Sequence, residues 1–295
     1  MRAFVSIVIA AAVALSTTLA AQWPSYPTPN IPRNADGTPN LTAPTPRMAD
    51  GKPDISGIWA AGGGGGGGRG RGGRGGRGGR GGRGGDEQAQ APAPAPPSNV
   101  PPVATFFNVG GNLEGGVAPM TEWAAALRKQ RLSDNMKDNP DAHCLPIGHM
   151  QLHLHPQPRK YLQTPTEIVM IWESNYGLRH IFLDGRPSPD NDPQPWWYGY
   201  TTGRWEGDTL VATTTNIRDG MWLDVNGTPL TEQGKIIERF RRPNFGSLEI
   251  DITIDDPKAF TKPFTVRVNQ RIMVDTELIE FICNENEQSS KHFQE

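Results

Sequence analysis

Histidines cluster in one short stretch of this 295-residue chain, and histidine is a frequent ligand of transition metals. Residues 143–158, HCLPIGHMQLHLHPQP, contain four of the six histidines. His153 and His155 are two residues apart, so on a strand both imidazoles point to one face and could chelate Zn, Cu, Fe or Mn. The alternative is a Pro-rich loop whose histidines bond to the backbone. Further candidate ligands are His143, His149 and His180, with Glu173 and Asp184 as the nearest carboxylates.

Three carboxylates are candidates for acid–base chemistry: Glu173, Glu238 and Asp208. A buried carboxylate with a shifted pKa can serve as a general acid or base. Each also has a structural interpretation, Glu238 as the ion-pair partner of a neighbouring arginine and Asp208 as a turn former. Catalytic roles therefore stay unassigned. The common hydrolase, P-loop, Rossmann and H-E-x-x-H motifs do not occur in the region predicted to fold.

Aromatic side chains mark a third candidate site, for a small ligand. Trp and Tyr at the mouth of a barrel stack on sugars or other flat molecules. Asp184 and Arg186 of the turn DGRP are candidate polar partners. The alternative is that the rings close the end of the barrel over its core. The aromatic candidates are Trp196, Trp197, Tyr198, Tyr200 and Trp222.

The elements that position these residues are predicted to be mostly strands. SLEIDITID (247–255) alternates apolar and polar residues, which is typical of a strand with one buried face. With ISGIW (55–59), such runs predict an all-β antiparallel meander of about eight to nine strands, closed as a lipocalin-like barrel or folded as a sandwich. One helix is predicted near residues 121–136. The other predicted strands are EIVMIWES (167–174), RHIFLD (179–184), YGYTTGRWE (198–206), DTLVATTTN (208–216), KIIERFRR (235–242), FTVRVNQRIM (264–273) and ELIEFICN (277–284).

Composition divides the chain into segments. A basic start, an apolar run and small residues predict a signal peptide and a periplasmic or secreted protein. The Gly/Arg and Pro/Ala tracts predict a disordered insertion that cannot bury a core. The predicted segments are the signal peptide (1–20), a Pro-rich extended segment (21–54), the first strand (55–61), the insertion (62–98), a single β-rich domain (99–286) and a tail (287–295).

The distribution of charge argues against a nucleic-acid partner. Seven arginines lie in the signal peptide and the Gly/Arg tract; without them the net charge of -2 becomes about -9 for the rest of the chain. The tract also lacks the interleaved aromatics of RNA-binding RGG segments. We interpret it as a surface-loop insertion, with contact to an anionic surface as the alternative. No later stretch is long and apolar enough for a membrane helix, which predicts no integral membrane insertion.

Cys144 and Cys283 are the only two cysteines. An even pair in an exported protein predicts one disulfide bond. The alternative is a pair of thiolate ligands that bind a metal together with His143.

Several blocks of sequence resemble those of one protein family. They are DGKPDISGIW (50–59), CLPIG (144–148), DGRP (184–187), GRWEGDTLV (203–211), MWLD (221–224), ERFRR (238–242), IDDPKAFTKPFTV (254–266) and FICNEN (281–286). Together they resemble a family of uncharacterised exported bacterial β-rich proteins, which implies a signal peptide and a single β-rich domain but no activity. Gly57 and Trp59 are also similar to the G-x-W signature of lipocalin-like barrels, where an arginine packs over the tryptophan.

Three functions remain open from the sequence. The leading hypothesis is an exported β-barrel that binds a small carbohydrate-like or lipid-like ligand. The second is a metal-assisted hydrolase, lyase or isomerase on the same fold. The third is a cell-envelope adhesion or structural protein that contacts its surroundings through the Gly/Arg tract.

Overall fold

The computed structural model describes residues 27–62, 100–189 and 194–285. The predicted signal peptide and tail lie outside these residues, as does the predicted insertion apart from Gly62. No helix within these ranges is long and apolar enough to cross a membrane.

Nine strands of the described chain close into a barrel, which confirms the predicted all-β barrel. The barrel strands are β1 (Gly57–Ala61), β2 (Arg159–Gln163), β3 (Glu167–Trp172), β4 (Leu178–Phe182), β5 (Tyr200–Glu206), β6 (Thr209–Thr215), β9 (Lys235–Asn244), β10 (Ser247–Asp255) and β11 (Phe264–Met273). Around the barrel the order is β1-β11-β10-β9-β6-β5-β4-β3-β2, and β2 pairs back with β1. The short strands β7 (Met221–Trp222) and β8 (Pro229–Leu230) form a separate hairpin between β6 and β9.

Alternation along the strands fills the barrel with apolar side chains. Every second residue of β10, from Leu248 to Ile254, is fully buried. Complete burial of one such side chain contributes about 1.5–3 kcal/mol. Trp59 is also fully buried, and the Arg242 guanidinium lies 4.9 Å from the centre of its ring. An arginine over this tryptophan is the packing that the lipocalin-like signature implies, although membership of that group stays a prediction.

One strand pair departs from the predicted antiparallel meander. β4 and β5 are parallel and pair over only two positions, Ile181 with Thr201 and Phe182 with Thr202. A parallel pair needs a long connection, because the chain must return to the start of the first strand. Residues 183–199 provide that connection. The prediction was wrong here because it relied on short turns, and this Pro-rich connection is not one of them.

The described chain contains two α-helices, one more than predicted. Helix α1 (Glu122–Ser133) lies within the predicted range and begins at Thr121, whose Oγ1 accepts from the Ala124 N–H at 3.2 Å. Helix α2 (His149–Leu154) occupies the histidine-rich stretch. The strand predicted at residues 277–284 is absent from that described segment. Three short 3-10 helices are Glu114–Gly116, Pro140–His143 and Ser174–Tyr176.

The predicted disulfide between Cys144 and Cys283 is confirmed, with the two Cα atoms 5.5 Å apart. It joins the loop before α2 to the C-terminal segment. Residues 277–284 do not form the predicted strand because β11, the strand before them, already pairs with β10 and β1; the Ile279 N–H bonds to Glu173 instead.

The Pro-rich N-terminal segment contains a repeated turn. PRNADGTPN (32–40) and PRMADGKPD (46–54) each close on an isolated bridge between the arginine and the second proline. Each arginine also forms an ion pair with an aspartate, Arg33 with Asp275 at 2.7 Å and Arg47 with Asp208 at 2.8 Å. The two ion pairs therefore attach the N-terminal segment to the barrel domain at two separate points.

Candidate functional site

A groove of about 760 Å³ opens where β4 and β5 separate. Because these strands pair over only two residues, their N-terminal ends are not joined to each other. The returning connection brings a cluster of rings to this gap. We call the cavity the aromatic groove; its aromatic lining residues are Phe182, Trp196, Trp197, Tyr198 and Tyr200.

Gly199 allows the connection to pack tightly beside the groove. Its φ of +67° lies in the left-handed region, which L side chains rarely adopt. A Cβ atom at this position would lie 2.4 Å from the Thr214 Cγ2 atom and 2.8 Å from the Thr215 carbonyl oxygen. Glycine is therefore required between Tyr198 and Tyr200 if both rings are to line the groove.

Three rings of the aromatic groove contact one another, and a fourth stacks on a buried tryptophan. Trp196 meets Tyr200 edge to face at 5.7 Å between ring centres, and Tyr200 lies 5.2 Å from Phe182. Tyr198 stacks on the buried Trp172 at 6.1 Å. Burial raises the pKa of the Tyr198 hydroxyl, so that hydroxyl is neutral near pH 7. The four aromatics predicted from residues 196–200 are thus brought together.

Arg186 and Asp184 are not lining residues but lie next to the groove, where Arg186 covers the Phe182 ring. Their exposed ion pair holds the pKa of Asp184 below its usual range and raises that of Arg186. The Arg186 guanidinium lies 4.1 Å from the centre of the Phe182 ring. Trp222, by contrast, is buried on β7 beneath Arg131 and does not line the groove.

Polar residues form the floor and rim of the groove. Arg179 and Thr201 belong to the floor, because their side chains are buried and point into the barrel. Arg218, Asp219 and Glu232 are exposed at the rim. The groove therefore combines a wall of aromatic rings with charged groups of both signs.

Behind the floor, the barrel interior holds a buried ionic network. Glu238 pairs with Arg179 through both carboxylate oxygens and bonds to His153 Nε2 at 2.8 Å. Arg179 also donates to Thr214 Oγ1 at 2.9 Å and to Thr201 Oγ1 at 3.2 Å. All five side chains are buried. A buried charge is tolerated when it is paired and its remaining hydrogen-bonding groups are satisfied, and this network meets that condition.

The network continues from His153 as an ordered chain of hydrogen bonds. Burial lowers the pKa of His153 and the bond to Glu238 opposes that shift, so the imidazole is neutral near pH 7. Its Nε2–H then donates to Glu238, and its Nδ1 accepts from Gln270 Nε2 at 3.2 Å. The Tyr161 hydroxyl donates to Gln270 Oε1 at 3.0 Å. Burial raises the pKa of Tyr161 to about 12, which keeps this donor protonated.

Arg159 fixes the helix that carries His153. Its guanidinium donates to the carbonyl oxygens of His153 at 2.7 Å and His155 at 2.6 Å, at the C-terminal end of α2. A cation at this end of a helix is favourable because the last carbonyls have no partner within the helix. Burial lowers the pKa of Arg159 to about 10, so the side chain stays charged near pH 7.

The strand geometry behind the predicted metal site is wrong. His153 lies on a helix and points at Glu238, whereas the His155 ring packs edge-on against Phe106 at 5.2 Å. His143 Nε2 bonds to the Lys137 carbonyl at 2.7 Å. His180 pairs with a neighbouring glutamate, and His149 is the first residue of α2. Within the described ranges, no group of three or more His, Cys, Asp or Glu side chains is placed to hold a metal ion.

The three candidate acids occupy different environments. Glu173 is buried and accepts from the Ile279 N–H at 3.0 Å. Asp208 is exposed, and its pairing with Arg47 lowers its pKa. Glu238 alone lies in the barrel interior, where its partner is Arg179 and not one of the arginines that follow it on β9.

Sequence reasoning missed Arg179, Tyr161 and Gln270 as members of the network. Strand alternation contained part of the signal, because Glu238 lies between Ile236 and Phe240 on the buried face of β9. Which of the inward polar residues meet across the barrel depends on strands far apart in sequence.

Comparisons of the chain with protein-family models, curated proteins and solved structures give no match. The resemblance to exported bacterial β-rich proteins therefore remains a prediction.

Proposed function

We propose that this protein binds a small saccharide in the aromatic groove. The observation that carries the proposal is the grouping of aromatic rings and charged side chains around one cavity of about 760 Å³. Sugar rings present apolar C–H faces that stack on Trp and Tyr, and hydroxyl groups that bond to charged side chains at the edge. A lipid-like ligand fits less well, because Arg218, Asp219 and Glu232 would meet its apolar chain.

The predicted signal peptide supports a role outside the cytoplasm, where free saccharides and wall polymers are found. The disulfide supports the same location, because such bonds persist in oxidising compartments. N-terminal sequencing of the protein recovered from a periplasmic or culture fraction tests export. A mature protein beginning at residue 21 or 22 is expected, and an uncleaved Met1 in that fraction would contradict it.

Replacement of Trp196 tests the binding proposal, because this residue lines the groove and its side chain is 45% exposed. Trp196→Ala should weaken saccharide binding about tenfold or more, as truncation of a stacking tryptophan commonly does. Affinity is measured by titration calorimetry against a panel of short oligosaccharides. Trp123→Ala is the matched control, since Trp123 is 43% exposed on α1, away from the groove. Equal loss in both variants would overturn the proposal.

An acid–base enzyme is a second candidate, because Arg179 lines the groove and also bonds to Glu238. Widening of the gap between β4 and β5 would bring a bound saccharide towards Glu238 and His153. A metal-assisted form of this enzyme would need His153 and His155 to turn towards one another. Mass spectrometry of oligosaccharides incubated with the protein tests for turnover. Product that forms equally with His153→Asn would argue against this candidate.

A further inference from the structure

We infer that the saccharide that fits the aromatic groove carries a positively charged amine. The inference rests on the proposed function and specifies its ligand. Among the described residues that line the groove, Asp219 and Glu232 are exposed acids, and none of the salt bridges found among the described residues includes either of them. Asp219 attracts the Arg131 guanidinium only at longer range. Arg218 is the one exposed arginine at the rim. The remaining lining arginine, Arg179, is neutralised by Glu238. The exposed charged side chains that line the described groove therefore carry a net negative charge.

The aromatic wall adds to this preference. The face of an aromatic ring attracts cations through its quadrupole. Two rings of this groove already hold a guanidinium: Arg218 lies 4.6 Å from the centre of the Trp197 ring, and Arg186 lies 4.1 Å from that of Phe182. The rings of the groove therefore attract cations, and a protonated amine would gain from the exposed Trp196 ring and from the carboxylates.

A negatively charged saccharide fits the described groove poorly. The guanidinium of Arg179 donates to Glu238, Thr201 and Thr214, and an acidic ligand would have to replace one of these bonds. Arg218 would be left to balance both the ligand and the two rim carboxylates. A neutral sugar avoids this repulsion but gains nothing from the charge of Asp219 and Glu232, so it should bind more weakly than an amine.

The test uses three β-1,4-linked oligomers of equal length, made of glucosamine, N-acetylglucosamine or glucose. At the same position of each sugar ring, the glucosamine oligomer carries a charged amine, the N-acetylglucosamine oligomer a neutral acetamide and the glucose oligomer a hydroxyl group. Titration calorimetry at about pH 6 and low salt keeps the sugar amine mainly protonated and leaves its charge unscreened. We expect the glucosamine oligomer to bind about tenfold more tightly than either neutral oligomer, a difference of about 1.4 kcal/mol.

The double variant Asp219→Asn, Glu232→Gln should reduce the affinity for the glucosamine oligomer to that of the glucose oligomer. Glu122→Gln, an exposed acid on α1, is the control and should leave the preference unchanged. Equal affinity of the wild-type protein for glucosamine and glucose oligomers would overturn the inference alone. Glucosamine binding that survives both the double variant and Trp196→Ala would show attraction to the acidic surface as a whole, and would overturn it too. Failure of all three oligomers to bind would overturn the proposed function.

Discussion

Replacement of Glu238 by glutamine should destabilise the protein far more than an ordinary surface substitution. Glutamine has nearly the same size, so the change removes the charge and leaves the packing almost intact. The Arg179 guanidinium would then be buried without its counter-charge. Removal of one partner from a buried ion pair costs about 3–5 kcal/mol, a large part of the roughly 5–15 kcal/mol by which domains are stable.

Glu206 provides the matched control for this prediction. It also pairs with two cationic partners, Arg204 at 2.6 Å and Arg239 at 3.0 Å, but its side chain is 38% exposed. Solvent screens such pairs, so they contribute little to stability. Glu206→Gln should therefore leave the free energy of unfolding almost unchanged.

Urea denaturation followed by tryptophan fluorescence measures both variants. A loss of about 3 kcal/mol in Glu238→Gln should lower the midpoint by roughly 1 M or more. If that variant does not fold, Thr214→Val removes the hydroxyl that bonds to both Arg179 and Thr201 and should cost about 1.5–3 kcal/mol. Loss of stability in Glu238→Gln no greater than in Glu206→Gln would refute the idea that the barrel interior depends on this ion pair.

Three further predictions concern pH, the disulfide and metal. Burial lowers the folded-state pKa of His153 and His155, so their contribution to the free energy of unfolding is complete above the unfolded pKa of about 6.5. That contribution is lost as pH falls below about 6.5, at up to about 1.4 kcal/mol per pH unit for each histidine. His155→Leu should reduce the dependence of stability on pH in urea denaturation, and an unchanged dependence would contradict this prediction. Replacing Cys144 and Cys283 by serine opens a loop between residues 139 positions apart and should cost up to about 5 kcal/mol, whereas an unaltered urea midpoint would contradict that loop-entropy estimate. Elemental analysis of protein purified without chelator should find well below one equivalent of Zn, Cu, Fe or Mn, because the two imidazoles face different surroundings; a stoichiometric metal lost in His153→Ala would contradict this.

Local sequence patterns predicted most of the fold. The alternation in β9, β10 and β11 identified strands whose buried faces lie inside the barrel, and the capping Thr121 marked the start of α1. The stretch that became α2 has no such signal: it is only six residues long, and Arg159, several residues later in the chain, bonds its last carbonyls. Short helices depend on tertiary contacts, which a local pattern does not contain.

The candidate site follows from the one strand pair that departs from the meander. An antiparallel β4 and β5 joined by a short turn would pair along their length and leave no gap in the wall. The parallel pair instead requires the chain to return before β5 begins, and the described residues 194–199 bring their rings to the gap. The same opening places Arg179 between the groove and the buried Glu238. The proposed binding at the groove and the stability of the barrel interior therefore depend on one side chain, and a ligand that contacts Arg179 should also stabilise the folded barrel.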